Sequence, residues 1–246
     1  MGVVPGTSGG PVVVERAEGV GGELVLRRAG ADYEIISNGV FLMDTRDGTS
    51  ERLLVRAAVE GLDGPVRLLI GGLGVGFSLA EALDLPEVAH VTVVEREPAV
   101  VDWHHGVLRP WSRGAVDDPR VTVRCADLLD VLTEPAATEP AVAELVAAEP
   151  GAPGGGRFDA LCLDIDNGPG WTVTPGNARL YSPAGLALLA ARLTRRGTLA
   201  VWSAAADPAF EALLGDRFAA VEARPVPVPR GEPDVVYLAR RPRHTA

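Results

Sequence analysis

The residues of this chain most capable of chemistry are glycines and carboxylates that follow short apolar segments. Leu68–Ile70 runs directly into a turn, called here the glycine turn (residues 71–76), and a second apolar segment, Val91–Val94, ends in Glu95. The turn contains four glycines: Gly71, Gly72, Gly74 and Gly76. Glycine allows positive φ angles and close approach of a ligand, and a carboxylate ending the next strand can accept both hydroxyl hydrogens of a ribose. This spacing predicts a nucleoside-binding α/β unit, although glycine clusters also occur in ordinary tight turns.

The elements around these residues are predicted to form an α/β sheet. Apolar segments alternate with helical patterns and read as continuous apolar runs, which favours a parallel sheet covered by helices on both faces. The predicted strands are Val66–Ile70, Val91–Glu95, Val121–Cys125, Ala160–Leu163, Thr198–Trp202, and two final strands near Phe218–Ala223 and Val235–Ala239. Helices are predicted to begin near Ser50, Phe77, Pro98, Asp127, Pro183 and Pro208. In open α/β sheets, ligands bind at the carboxyl ends of such strands.

A small antiparallel sheet is predicted ahead of this domain. Short apolar runs between Glu23 and Met43 are separated by Ala29-Gly30 and by Asn38-Gly39, and Asn-Gly between apolar runs indicates a hairpin. We therefore divide the chain into a flexible tail (residues 1–10), an N-terminal β-hairpin domain (11–49) and a larger α/β domain (50–246). An insert near 135–156, rich in Ala, Pro, Glu and Gly, is predicted to be mobile.

The composition restricts the partners of the chain. Its 246 residues carry a formal net charge of −10, which argues against a nucleic-acid partner and would suit a small cationic substrate. No apolar run approaches the roughly 20 residues that cross a bilayer, and the first residues lack a basic segment followed by an apolar one. We therefore expect no membrane contact and a cytoplasmic location. The absence of lysine removes Schiff-base and P-loop chemistry, and the four histidines lack metal-ligand spacing, so no metal site is predicted.

The order of the motifs resembles the spermidine synthase family, the aminopropyltransferases and their relatives on the class I S-adenosylmethionine (SAM) methyltransferase fold. The resemblance runs from about Glu23 to Arg240 and includes the hairpins, the glycine turn and Glu95. Four further motifs carry it: Arg46-Asp47 with Glu51, Asp118-Pro119-Arg120, Ala126-Asp127, and Asp164-Ile165-Asp166-Asn167-Gly168-Pro169 followed by Leu180-Tyr181-Ser182. It implies a Rossmann-like seven-strand sheet, SAM or decarboxylated SAM as the cofactor, a small-molecule acceptor that can be an amine, and a homodimer.

The resemblance also implies roles for individual positions. The four glycines would line the methionine-derived part of the cofactor, and Glu95 would hold the ribose hydroxyls, with Arg96 beside it. Asp127 would accept a hydrogen bond from the adenine amino group. Asp164 would remove or orient the proton of an attacking amine, because an alkylammonium must lose its charge before it can attack carbon. The remaining implied contacts are Ala126 and Leu128 for the cofactor and Glu51, Asp166, Trp171 and Tyr181 for the substrate.

The carboxylates also have ordinary structural roles open to them. Asp127 is well placed to cap the following helix, which favours aspartate at that position. Asp164 could instead cap the bend that follows it, and Asp166 and Asn167 are typical of turns. These alternatives stay open at the level of sequence.

The aromatic residues divide in the same way. Tyr181 would either cover the substrate or serve as a core tyrosine whose hydroxyl is satisfied. Of the four tryptophans, only Trp171 is expected near the substrate, since Trp202 ends an apolar strand and is expected in the core.

Three departures from the family pattern bear on the reaction. Position 74, where the family carries an aspartate thought to exclude the carboxylate of intact SAM, is glycine, so intact SAM becomes admissible. Leu42 replaces a glutamine, and the segment Asp47–Glu51 keeps its first and last acids but loses a tyrosine. A pocket built to hold a diamine thereby loses polar partners.

The sequence therefore favours a SAM-dependent methyltransferase acting on a nitrogen or oxygen of a small molecule, with Asp164 assisting deprotonation. Aminopropyl transfer from decarboxylated SAM, as in a true spermidine synthase, is the alternative within the family. A dinucleotide oxidoreductase would also suit a glycine turn followed by an acid, but the spacing is not Gly-x-Gly-x-x-Gly, and Asp127 and Asp164 would have no role. A non-catalytic nucleoside-binding sensor or assembly subunit is a further hypothesis, because a fold alone does not guarantee chemistry.

Overall fold

The computed structural model describes residues 10–134 and 156–243. Two β-sheets follow one another along the chain, the first with four strands and the second with seven. The predicted tail, except for residue 10, and the predicted insert, except for residue 156, lie outside the described residues.

The N-terminal sheet is a simple antiparallel meander. Its strands, in spatial and sequence order, are β1 (Val12–Gly19), β2 (Gly22–Ala29), β3 (Asp32–Ser37) and β4 (Val40–Asp44). Asn38 and Gly39 join β3 to β4 with positive φ angles of 48° and 80°, as a two-residue hairpin turn requires. The predicted hairpins are therefore present. The sequence interpretation missed β1, because this edge strand carries no buried residue and so lacks an inward-facing apolar pattern.

The second sheet alternates with helices, as the apolar pattern predicts. Its strands are β5 (Val66–Gly71), β6 (Val88–Glu95), β7 (Val121–Cys125), β8 (Phe158–Leu163), β9 (Leu193–Ser203), β10 (Phe218–Val226) and β11 (Asp234–Pro242). The helices are α1 (Thr49–Val59), α2 (Phe77–Asp84), α3 (Pro98–His105), α4 (Arg109–Ser112), α5 (Leu128–Thr133), α6 (Pro183–Ala191) and α7 (Pro208–Arg217), with short 3₁₀ turns at Ala115–Asp117 and Pro175–Arg179.

The strand order of the large sheet is β10-β11-β9-β8-β5-β6-β7. This confirms the predicted seven-strand α/β sheet, but the sheet is mixed rather than wholly parallel. β11 runs antiparallel to both of its neighbours, β9 and β10. The reason is the short connection of residues 227–233, which returns the chain as a hairpin and leaves no crossover helix between β10 and β11.

The topology opens a crevice at the centre of the sheet. From β5 the chain moves through β6 to β7 on one side, and β8 and β9 then continue on the other side of β5. Side chains of β5 alternate between two apolar cores, with Leu68 and Ile70 in one and Leu69 in the other. Ligands bind at such a switch point, outside the carboxyl ends of the strands. Within the described ranges, no helix is long and apolar enough to cross a membrane.

Candidate functional site

A cavity of about 720 Å³ lies at the carboxyl ends of the central strands. Its walls come from both sheets, because β4 and the start of α1 cover the edge at which β5, β6, β7 and β8 end. The lining includes every predicted strand-end acid: Glu95, Asp127 and Asp164. A volume of this size is ample for a nucleoside and a small second substrate.

Glu95 ends β6 and is fixed by the backbone on both sides. The N–H of Leu73, in the glycine turn, donates to Glu95 Oε2 at 2.8 Å, and the N–H of Glu97 donates to Oε1 at 2.9 Å. Burial raises the pKa of Glu95, and these two N–H donors oppose that shift. The carboxylate lines the cavity, and a carboxylate can accept hydrogen bonds beyond these, as a ribose diol would require.

The start of α5 forms another part of the cavity wall. Asp127 Oδ1 accepts the N–H of Leu129 at 2.8 Å, so Asp127 is the N-cap of α5, while also lining the cavity. Ala126 and Leu128 line it beside Asp127. Arg96 lies at the same wall, where its Nη2 donates to Glu97 Oε1 at 2.9 Å. The cap interaction is thus observed, and the adenine contact of Asp127 stays a prediction.

Asp164 follows the last residue of β8, next to the glycine turn. Its N–H donates to the carbonyl of Gly71 at 2.9 Å, and the hydroxyl of Ser78 donates to its Oδ2 at 3.0 Å. Burial raises the pKa of Asp164 to about 6, and the charges of Asp234 and Glu95 add to this, against the hydrogen bond from Ser78. A carboxylate that lines a cavity and has a pKa raised toward neutral pH is suited to accept a proton.

Two further acids, Glu51 and Asp234, line the same cavity. Glu51, in the first turn of α1, and Asp234, at the start of β11, share the hydroxyl of Ser50, which lies 3.0 Å from Glu51 Oε2 and 2.8 Å from Asp234 Oδ2. Burial raises the pKa of Glu51 to about 8, with Asp164 and Asp234 adding repulsion. Burial also raises the pKa of Asp234. Since one hydroxyl carries one hydrogen, it cannot donate to both carboxylates at once.

The cavity is therefore strongly acidic. Among the residues that the structure describes, no ion pair involves Glu51, Glu95, Asp164 or Asp234. In the same part of the chain, no three His, Cys, Asp or Glu side chains are grouped as a metal site. Buried carboxylates without a partner of opposite charge favour a cationic ligand, because such a ligand would offset their repulsion.

The four turn glycines lie in two different surroundings. Gly72 and Gly74 line the cavity, whereas Gly71 and Gly76 do not. A Cβ on Gly71 would lie 2.8 Å from Leu128 Cδ2 and 3.1 Å from Ile165 Cδ1, so the absence of a side chain there serves packing. Gly76, with φ of 91°, is the N-cap of α2.

The predicted substrate residues are also divided. Asp166 and Trp171 line the cavity, and Trp171 is 60% exposed. Asp166 has a φ of 53° and accepts from Asn177 Nδ2 at 2.8 Å, so it also has the turn role that its sequence suggested. Tyr181 lies in the core with its hydroxyl donating to the carbonyl of Ile165 at 3.2 Å and is not among the lining residues.

Several lining residues were not assigned to the site by sequence reasoning. Trp202 packs against the core, as predicted, and also forms part of the cavity wall, because β9 ends at this edge. Met43 and Asp234 were not singled out at all. No local signal would have found Asp234, which reaches the site only through the reversal between β10 and β11.

Known proteins resemble this chain in sequence and in fold. No family model matches the chain. The chain is 33% identical over 186 residues to a polyamine aminopropyltransferase of Corynebacterium efficiens, which is 75% of this chain and 31% of that protein. It is 32% identical over 180 residues to a polyamine aminopropyltransferase of Mycobacterium tuberculosis, which is 73% of this chain and 30% of that protein. The match thus spans less than a third of the length of these curated relatives.

Solved structures show the same fold. A spermidine synthase in complex with the transition-state analogue AdoDATO superimposes with a TM-score of 0.72, covering 94% of this chain and 74% of that one at 16% identity. The spermidine synthase from Thermotoga maritima gives a TM-score of 0.70, covering 94% and 73% at 15% identity. The chain is therefore similar in sequence to polyamine aminopropyltransferases over three quarters of its length, and similar in fold to spermidine synthases over nearly all of it.

Proposed function

We propose that this chain transfers an aminopropyl group from decarboxylated SAM to an amine. The observation that carries the proposal is the acidic cavity, in which Asp164 lies close enough to Glu95, Glu51 and Asp234 for their charges to interact. The similarity to polyamine aminopropyltransferases supports it. Because the match covers under a third of those proteins, the activity, donor and acceptor are proposals for this chain.

Different residues of the cavity would bind the donor and accept the proton of the acceptor. Glu95 and Asp127 would hold the nucleoside, and the donor supplies an electrophilic carbon bonded to a positively charged sulfur. The acceptor nitrogen attacks the first carbon of the propylamine group, the bond from that carbon to sulfur breaks, and the neutral thioether methylthioadenosine leaves. The nitrogen must lose a proton, and Asp164 is placed to receive it, oriented by the hydroxyl of Ser78. Holding donor and acceptor side by side supplies much of the rate enhancement.

The sequence alone favoured methyl transfer. The charge of the cavity instead favours aminopropyl transfer. Decarboxylated SAM carries two positive charges and no carboxylate, whereas intact SAM brings a carboxylate into a cavity lined by nine acids and only two arginines. Like charges in a poorly hydrated site repel strongly. The relatives named above are also aminopropyltransferases, so the comparisons give the methyl-transfer preference no support.

The test is a product assay on the full chain. The purified protein is incubated with a diamine such as putrescine and with either decarboxylated or intact SAM, and the nucleoside product is identified by mass spectrometry. Aminopropyl transfer yields methylthioadenosine, and methyl transfer yields S-adenosylhomocysteine. We expect methylthioadenosine and aminopropylated amine in equal amounts with decarboxylated SAM, and neither product from the Asp164→Asn variant above about 1% of the wild-type rate.

The other outcomes separate the remaining hypotheses. S-adenosylhomocysteine formed from intact SAM would replace the proposal by methyl transfer. Binding of methylthioadenosine without turnover on any amine would support a nucleoside sensor. A cytoplasmic location and a homodimer are parts of the same proposal, and size-exclusion chromatography with light scattering tests the latter.

A further inference from the structure

The space that a side chain at position 74 would occupy is filled by a neighbouring residue. Its φ of 50° is left-handed, and a Cβ placed on it would overlap Met43 Sδ and lie 2.9 Å from Met43 Cε. The thioether of Met43 therefore stands where a side chain of the glycine turn would otherwise project. Both residues line the cavity.

Met43 is held in this position by the N-terminal sheet. It lies on β4, paired with Ile35 on β3, and its partly buried side chain packs against the apolar core. The turn is held as well, since His104 Nε2 donates to the carbonyl of Gly74 at 2.9 Å. The contact is thus made between two fixed elements of different domains.

The position of Met43 in the cavity determines which part of a bound donor it would contact. The glycine turn is bonded on one side to Glu95, through the N–H of Leu73, and on the other to Asp164, through the carbonyl of Gly71. A donor with its ribose at Glu95 and the first carbon of its propylamine chain near Asp164 must carry the rest of that chain past residues 72–74. At that point the wall of the cavity is Met43.

We infer that Met43 is the residue that selects a donor without a carboxylate, an inference that rests on the proposed function. A carboxylate placed against the thioether would lose hydration and gain no hydrogen-bond donor. It would also be repelled by Glu95 and Asp164, which line the same cavity. A bare propylamine chain instead presents methylene groups to the thioether and an ammonium to the acids. The volume and apolarity of Met43 therefore exclude the carboxylate of intact SAM.

This changes the meaning of the glycine at position 74. The sequence suggested that loss of the family's aspartate admits intact SAM, which assumes open space at that position. The structure fills the space from β4, so discrimination is kept by a different side chain from a different domain. The pair also explains why position 74 is glycine here, since Met43 and a turn side chain cannot both occupy this point.

The test compares donor affinities in four proteins: wild type, Met43→Ala, Met43→Leu and the double variant Met43→Ala with Gly74→Asp. Calorimetry gives Kd for decarboxylated SAM, intact SAM and methylthioadenosine, which lacks the tail and reports on the nucleoside site alone. Met43→Leu preserves bulk and apolarity and is the matched control. The double variant moves the exclusion back to the turn, and aspartate tolerates left-handed φ better than most residues.

The wild type is expected to bind decarboxylated SAM at least about tenfold more tightly than intact SAM. Met43→Ala should reduce this ratio about fivefold or more, mainly by tightening intact SAM, while Met43→Leu stays within about twofold of wild type. The double variant should return to within about threefold of the wild-type ratio through charge repulsion. Methylthioadenosine affinity should vary by less than about threefold throughout.

Three results overturn the inference in different ways. If the wild type and variants bind methylthioadenosine and decarboxylated SAM, but Met43→Ala keeps the wild-type ratio, Met43 does not select the donor and the proposed function stands. If the wild type binds no nucleoside at all, the proposed function fails and takes the inference with it. A fall in all three affinities in Met43→Ala, with none in Met43→Leu, would show a structural role only and likewise counts against selection.

Discussion

Replacing Glu51 by glutamine should stabilise this protein, and by more at neutral than at acidic pH. Glu51 is 8% exposed and is surrounded by the carboxylates of Asp164 and Asp234, with burial as the larger cause of its raised pKa. When a folded-state pKa lies above the unfolded value, the folded state binds more protons in between. Stability is then lost as pH rises from the unfolded pKa toward the folded pKa. The window for Glu51 runs from its ordinary value of 4.5 to about 8.

The size of the effect follows from that window. One pKa unit corresponds to about 1.4 kcal/mol, so the raised pKa of Glu51 lowers the free energy of unfolding by about 2–3 kcal/mol between about pH 5 and about pH 7. The Glu51→Gln variant keeps an acceptor for the hydroxyl of Ser50 and removes this dependence. Relative to wild type, it should therefore gain about 2 kcal/mol over the same range.

Urea unfolding at the two pH values, followed by tryptophan fluorescence, measures this gain. Glu34→Gln is the matched control. Burial of Glu34 would raise its pKa, but hydrogen bonds from Arg46 and Arg27 hold its pKa below the ordinary value. That variant should be less stable than wild type, and its deficit should not shrink as pH rises. If the stability difference between Glu51→Gln and wild type is the same at both pH values, the cavity is not the crowded acidic site described above.

Two other substitutions test the geometry of the site. Asp164→Asn should lower kcat by about 10²–10³-fold while changing the Kd of methylthioadenosine by less than about threefold, as kinetics and calorimetry would show, since Asp164 acts on the acceptor proton and not on the nucleoside. An equal loss in nucleoside affinity would contradict that role. Gly72→Ala should destabilise the protein by about 2 kcal/mol or more and impair turnover, because φ is 91° there and the added Cβ would overlap the carbonyl oxygen of Asp164. Thermal unfolding checks this, and an alanine variant as stable as wild type would refute the close approach of turn and base.

The parts of this protein that were predictable from sequence are those specified by neighbouring residues. The apolar run Leu68–Ile70, the glycine turn and the acid at position 95 are one continuous signal, and β5, α2 and β6 form as it predicts. Asn38-Gly39 specified its hairpin in the same way, through the positive φ angles that only such residues adopt readily. The strand-end positions of Asp127 and Asp164 followed from the alternation of strands and helices.

The direction of β11 and the identity of several lining residues could not be obtained in this way. Apolar runs look alike in parallel and antiparallel strands, so the reversal after β10 carries no distinct pattern. Ser50 and Asp234 are 184 positions apart, and their hydrogen bond exists only because α1 and β11 reach the same edge of the sheet. Trp202 packs against the core, as predicted, but its second role in the cavity wall could not be foreseen, since an apolar strand end gives no indication that a cavity begins there.

The amino-acid sequence by itself determined the strands, the turn that follows β5 and the acids available at the strand ends, because these depend on backbone preferences and on local periodicity. Only the tertiary structure decided what those acids face. It buried Glu51, Asp164 and Asp234 close together, which raises their pKa values, and it set Met43 from the N-terminal sheet against Gly74. The physical reason is that desolvation, charge repulsion and steric exclusion depend on distances through space, which separation along the chain does not record.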